Sequence, residues 1–350
     1  MTLPLPAVPA RIVAAPMAGG PSTPALVAAV GEAGGFGFVP AGYRTVDQVA
    51  ADVEEVRRRS DAPFGVNVFV PLPERPDEAA RIPGYAERVA TRAELLDAGL
   101  GTPQHTDDGF AAKIDLLVDL RPAVVSFAFG IPGTEAIERL HGAGVPVWIT
   151  VTSPDDARAA AAAGADAVVA QGWEAGAHRG GPSDEEPGQL GLLPLLALVR
   201  RATDLPVIAA GGIADGAGVA AVLAGGAALA ALGTAFLCTP EAGTTPVHAA
   251  ALTEPRPTTV TRAFTGRRAR AMVNEALLAL GDDAPAAYPD VHFLTAPMRA
   301  AAKAAGDAEN LHLWAGQAHE LAERLPAGEL VRRLAAEARE ALAAATAALS

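Results

Sequence analysis

Short apolar, β-branched runs recur along this chain, and nearly all are followed by Gly, Pro, Ser, Thr or Asn and then by an Ala/Leu-rich segment. The runs occupy 12–16, 36–40, 65–70, 124–129, 147–151, 167–170, 207–210 and 229–232. Between them, 23–33, 46–59, 133–141, 154–163, 192–202 and 216–223 read as helices. Strands that alternate with helices build a parallel sheet, and eight such units favour closure into a (β/α)8 barrel. Ser153 and Asp215 stand where helix caps belong, and Gly144 and Gly164 stand where helices stop.

Two regions break the repeat. About 50 residues, 72–122, separate the third and fourth strands; extra helices and a mobile loop at 101–109 are expected there. Beyond residue 240 a further helical region follows, ending in an Ala-rich packing helix over 329–349. The expected architecture is therefore α/β: a TIM (β/α)8 barrel over 1–239, with the insertion. A smaller, mostly helical second domain is formed by that insertion and the C-terminal region 240–350, which caps the substrate.

Charge and composition exclude several classes. With 27 basic and 40 acidic residues the net charge is −13, and no basic stripe appears, so nucleic acid is not an expected partner. No uninterrupted apolar run of membrane-spanning length occurs. The first ten residues lack a basic region and are broken by prolines, so a cytoplasmic location is expected. Cys238 is the only cysteine, which leaves neither an intrachain disulfide nor a cysteine zinc cage; no metal is expected. Lysine occurs only at 113 and 303, the other basic residues being arginine.

In such a barrel the chemistry sits at the C-terminal strand ends, with phosphate commonly held after strands seven and eight. Strand seven ends in Gly211-Gly212 and strand eight in Gly233-Thr234. Glycines admit a phosphate to the backbone, where successive N–H groups and a helix N-terminus stabilise its charge. Met17, Ala18 and Gly19 after strand one suit a flat ring, and the Asn67 and Gln171 amides can address a heterocycle edge. Strand six delivers the loop Gln171-Gly-Trp-Glu-Ala-Gly-Ala-His-Arg-Gly180. His178 in that loop, with an ordinary pKa near 6.5, suits proton abstraction or anion stabilisation. The other six histidines, at 105, 141, 248, 292, 312 and 319, read as surface or capping residues.

Together with Ala15-Pro-Met-Ala-Gly-Gly20, Phe64-Gly-Val-Asn-Val68, Ala209-Ala-Gly-Gly-Ile213, Leu232-Gly-Thr-Ala-Phe236, Phe264-Thr-Gly-Arg267 and Trp314-Ala-Gly-Gln317, that loop resembles the nitronate monooxygenase family, in family order over most of the chain. The resemblance implies an FMN-containing barrel with a small helical second domain. Met17, Asn67 and Gln171 would contact the isoalloxazine, with Ala18, Gly19 and Gly176 in the same cofactor-binding set. Gly211, Gly212, Gly233 and Thr234 would hold the phosphate, and His178 would be the base. The implied reaction is oxidation of an alkyl nitronate, propionate 3-nitronate among them, by O2 to a carbonyl compound and nitrite, in a monomer or homodimer. A rival on the same scaffold is an FMN-dependent NAD(P)H reductase acting on enoyl-acyl-carrier protein or quinone. Ala177 departs from the family, which more often has glycine before the histidine; a positive φ there would cost alanine some strain.

Overall fold

The β-branched runs become strands because both of their faces are buried, as a parallel sheet covered by helices requires. The computed structural model describes residues 2–184, 189–281 and 283–349. Its strands are β1 (Ile12–Ala14), β2 (Phe38–Pro40), β3 (Gly65–Phe69), β4 (Val124–Ala128), β5 (Val147–Val151), β6 (Ala167–Gln171), β7 (Ala177–His178), β8 (Val207–Ala210), β9 (Leu229–Leu232), β10 (Thr258–Thr261) and β11 (Ala269–Met272). Eight of them form one parallel sheet in the order β1-β9-β8-β6-β5-β4-β3-β2. The ring closes beside β2, where the Phe36 N–H donates to the Ile12 carbonyl (3.0 Å) and the Ala14 N–H to the Phe36 carbonyl (2.9 Å). The chain therefore folds as the expected TIM barrel with a smaller second unit.

The barrel is a packed core rather than a pore. Phe36 and Phe38 meet edge to face at 5.2 Å, and Trp148 lies 5.7 Å from each. All three rings are buried, and deleting one such ring costs about 3–5 kcal/mol. Strand register then brings the polar residues to one end: Asn67 pairs with Ser126, and Gln171 with Ala210.

The second unit differs from expectation in three respects. Helix Phe110–Leu120 packs Ile114 and Leu117 into the barrel core, so the insertion proper ends before it. The region beyond 240 is not wholly helical: β10, β11 and β7 make a three-stranded antiparallel sheet, with Ala269 opposite His178. The last helix, Ala327–Ala348, is the expected packing helix, but it buries Leu330, Val331 and Leu334 in the barrel core cluster, so the capping region does not extend to 350. What does form a separate core is helix Ile82–Glu94 of the insertion against helices Glu275–Leu280 and Asp290–Ala305, through Tyr85, Val89, Leu277 and Leu294.

The loop expected to be mobile is tied down. The Gly101 N–H donates to the Leu294 carbonyl (2.9 Å), the Tyr43 N–H donates to Asp108 Oδ1 (3.2 Å), and Asp108 pairs with the buried Lys113 ammonium at 2.7 Å. Among the described residues no helix is long and apolar enough to cross a membrane.

Candidate active site

The C-terminal strand ends open into a cavity of about 510 Å³, roofed by helix Asp290–Ala305 and the segment around Trp314. Met17, Ala18, Gly19, Asn67, Gln171, Gly176, His178, Gly211, Gly212, Gly233 and Thr234 all line this one space.

At one end stand the glycines. Gly211 has φ 115° and Gly212 φ 70°, conformations that favour glycine. A Cβ on Gly211 would lie 3.2 Å from the Ala175 and Gly172 nitrogens, so the turn admits no side chain without displacing the histidine loop. Among the described residues the N–H groups of Gly211, Gly212, Gly233 and Thr234 donate to no backbone or side-chain acceptor. A cluster of free N–H groups is an anion nest. The following helix does not contribute its N-terminus as expected: Asp215 accepts from the Gly218 N–H (2.8 Å) and Glu337 from the Gly216 N–H (3.2 Å). Those carboxylates already satisfy the helix start. Thr234 Oγ1 accepts from the Gly316 N–H (3.0 Å), which leaves the hydroxyl hydrogen for a ligand.

The two amides are held differently. Asn67 donates to Ser126 Oγ (2.9 Å) and to the Ser126 carbonyl (3.3 Å). A carbonyl can only accept, so the Asn67 NH2 faces Ser126 and its oxygen is left for the cavity. Gln171 donates to the His178 carbonyl (3.0 Å) and accepts from the Gly180 N–H (2.8 Å). Its side chain thus closes the histidine loop from both ends, a bracing role that spacing alone did not reveal. Arg179 adds a bond to the Gly172 carbonyl (2.6 Å) while its guanidinium covers Trp173 at 5.2 Å.

His178 leads out of that loop after Ala177, whose φ of 59° is the left-handed conformation its missing glycine would have eased. The imidazole Nε2 lies 2.9 Å from Thr265 Oγ1. Thr265 donates its hydroxyl hydrogen to the Arg267 carbonyl (3.2 Å) and accepts from the Arg267 N–H (3.4 Å). The hydroxyl therefore accepts from His178, so Nε2 carries the hydrogen and Nδ1 the free lone pair. Phe129, Tyr288 and Trp314 surround the ring at 5.4, 5.7 and 5.7 Å. Burial, then the Arg267 and Arg299 guanidiniums, push its pKa down to about 3, so the ring is neutral at pH 7.

Three histidines expected at the surface line the same cavity: His248, His292 and His312. Burial lowers all three, His248 to about 4 and His292 to about 2. His319 is also buried, between the Leu252 and Arg256 carbonyls, which leaves His105 and His141 as the two that lie outside both the cavity lining and the buried set. Helix Asp290–Ala305 supplies His292, Ala296, Arg299 and Lys303 at helical spacing on its cavity face. Arg299 is buried and bonded to the His292 carbonyl (2.7 Å) and Thr295 (3.0 Å); burial lowers it only to about 10, so it stays charged. Tyr43 stacks on His292 with centroids 4.2 Å apart. Among the described residues no Asp or Glu lines the cavity, although the chain carries 40 acidic residues. Among the described residues no three His, Cys, Asp or Glu side chains are grouped to hold a metal.

The family model described as nitronate monooxygenase matches residues 7–337. A nitronate monooxygenase of Paraburkholderia phytofirmans is 40% identical, covering 97% of this chain and 95% of its own, and one of Pseudomonas aeruginosa is 38% identical over 94% and 96%. Among solved structures, nitroalkane oxidase from Streptomyces ansochromogenes superimposes with a TM-score of 0.92 at 51% identity, covering 97% of this chain and 98% of its own. FabK from Thermotoga maritima superimposes with a TM-score of 0.75 at 28% identity, over 96% and 95%. The chain belongs to the nitronate monooxygenase family and is an oxidoreductase.

Proposed function

We propose that this enzyme oxidises alkyl nitronates, and the nitroalkanes they come from, with O2 to a carbonyl compound and nitrite, using FMN. The observation that carries the reading is electrostatic. In a chain of charge −13 the cavity has Arg299 and Lys303 on its wall, neutral imidazoles and, among the described residues, no carboxylate. Such a space favours anions, as both a nitronate and a flavin phosphate are.

The residues present fit FMN. Free N–H groups at Gly211, Gly212, Gly233 and Thr234 suit its phosphate, and the Cβ-free turn at Gly211 allows close approach. The Asn67 oxygen and the 15–19 turn suit its ring. When bound, FMN would accept an electron from the nitronate and supply the route to O2. The chain itself would do the rest. The nest and Thr234 bind and orient; Phe129, Tyr288 and Trp314 keep water from His178; and Nδ1 takes the α-proton of a neutral nitroalkane. The cations that keep His178 neutral also stabilise the nitronate formed. Arg299 and Lys303 give a distal carboxylate, such as that of propionate 3-nitronate, a partner.

His178→Ala tests the assignment. Turnover of neutral nitroethane should fall about 10²–10⁴-fold, and that of pre-formed ethylnitronate, already deprotonated, far less. Equal losses on both substrates would remove His178 as the base. The 28% identity to FabK leaves an NAD(P)H-dependent reductase as the second reading; it predicts NADH consumption and silence towards nitronates.

A further inference from the structure

Beside Tyr288, one polar hydrogen is left over. Tyr288 donates its hydroxyl hydrogen to Tyr43 Oη at 3.0 Å, and no acceptor among the described residues takes the hydrogen of Tyr43. Tyr43 lines the cavity, as does His178. The two rings flank Tyr288, with centroids 6.5 and 5.7 Å from it.

The ring is fixed from every side. It stacks on His292 with an interplanar angle of 2°, meets Phe69 edge-on at 5.4 Å, and its backbone, at φ 63°, donates to Asp108. Asp108 is held by Lys113, a lysine that is almost wholly buried in a chain that otherwise prefers arginine. The hydroxyl is thus pre-organised, and a pre-organised donor is worth most where charge develops on an oxygen.

We infer that the Tyr43 hydroxyl is a further catalytic group, donating a hydrogen bond to an oxygen of the nitro or nitronate group in the cavity it shares with His178. The inference rests on the nitronate reading. As His178 takes the α-proton, the C–H electron pair delocalises onto the nitro oxygens, and Tyr43 meets that charge with a donor. Burial holds the phenol up at about 12, outweighing the Tyr288 bond and the Arg299 charge, so it remains a donor at physiological pH.

Tyr43→Phe keeps the stack on His292 and the backbone bond to Asp108. It should lower kcat for nitroethane about 10²-fold, the usual effect of losing one oxyanion donor. With pre-formed ethylnitronate the charge exists before binding, so KM should rise about tenfold with kcat nearly unchanged. Flavin content and melting temperature should match wild type. Tyr288→Phe, which retains the Tyr43 hydroxyl, should lose less than tenfold on nitroethane. Rates for Tyr43→Phe within twofold of wild type on both substrates would overturn the inference alone, as would equal losses in the two variants. Wild-type enzyme inert towards both substrates would overturn the nitronate reading and this inference with it.

Discussion

At the scale of single residues, the cavity is governed by imidazoles that the fold keeps neutral. His178, His248, His292 and His312 all have folded-state values below the ordinary histidine range, chiefly through burial. The unfolded chain takes up protons below about pH 6.5, and the folded chain does not until about pH 4 at His248 and about pH 3 at His178. Stability from these groups is therefore complete above pH 6.5 and falls as pH drops. At pH 5.5 each costs about 1 kcal/mol, before most carboxylates begin to titrate. The thermal midpoint should accordingly drop by several degrees between pH 7.5 and 5.5, and His248→Gln should flatten that slope. A midpoint independent of pH across this window would contradict the assignment of neutral, buried rings.

At the scale of elements, what was legible is what is local. The barrel strands announce themselves by short apolar runs; β6 ends at Gln171, and β8 and β9 run into Gly211 and Gly233, so these strand-end residues could be named from spacing. Residues brought in by tertiary packing could not. Arg299 and Lys303 belong to a helix more than 110 residues beyond the histidine loop, and only docking of that helix over the barrel makes them cavity residues. Tyr43 was within reach: it follows β2 as closely as other site residues follow their strands, and a strand-end rule applied evenly would have found it. Thr258-Thr-Val-Thr261 is a β-branched run that signals β10, whereas Ala269-Arg-Ala-Met272 carries no strand signal and becomes β11 only by pairing.

The insertion joins the second unit through a backbone contact that only glycine permits. A Cβ on Gly101 would stand 1.9 Å from the Phe293 carbonyl oxygen. Gly101→Ala should cost about 1–3 kcal/mol, because one of the two backbones must shift. Gly84, inside helix Ile82–Glu94 with open space around it, gives the opposite expectation: alanine there should stabilise by about 0.5–1 kcal/mol. Urea unfolding of the two variants checks both signs, and a Gly101→Ala protein as stable as wild type would show that this contact does not hold the insertion in place.

At the scale of the whole molecule, a chain of net charge −13 encloses a space that no carboxylate lines among the described residues. The barrel supplies the glycine turns with free N–H groups and His178, and the second unit supplies Arg299, Lys303 and the roof, so the cavity needs both. That division explains why strand-end residues such as Gly211 and Gly233 could be named from the sequence while Arg299 and Lys303 could not. The most direct test is oxygen uptake by the purified protein on addition of a pre-formed alkyl nitronate, with no NAD(P)H present. Rapid uptake accompanied by nitrite release is the predicted result. No uptake and no nitrite, with NADH consumed instead when an enoyl or quinone acceptor is offered, would contradict the account.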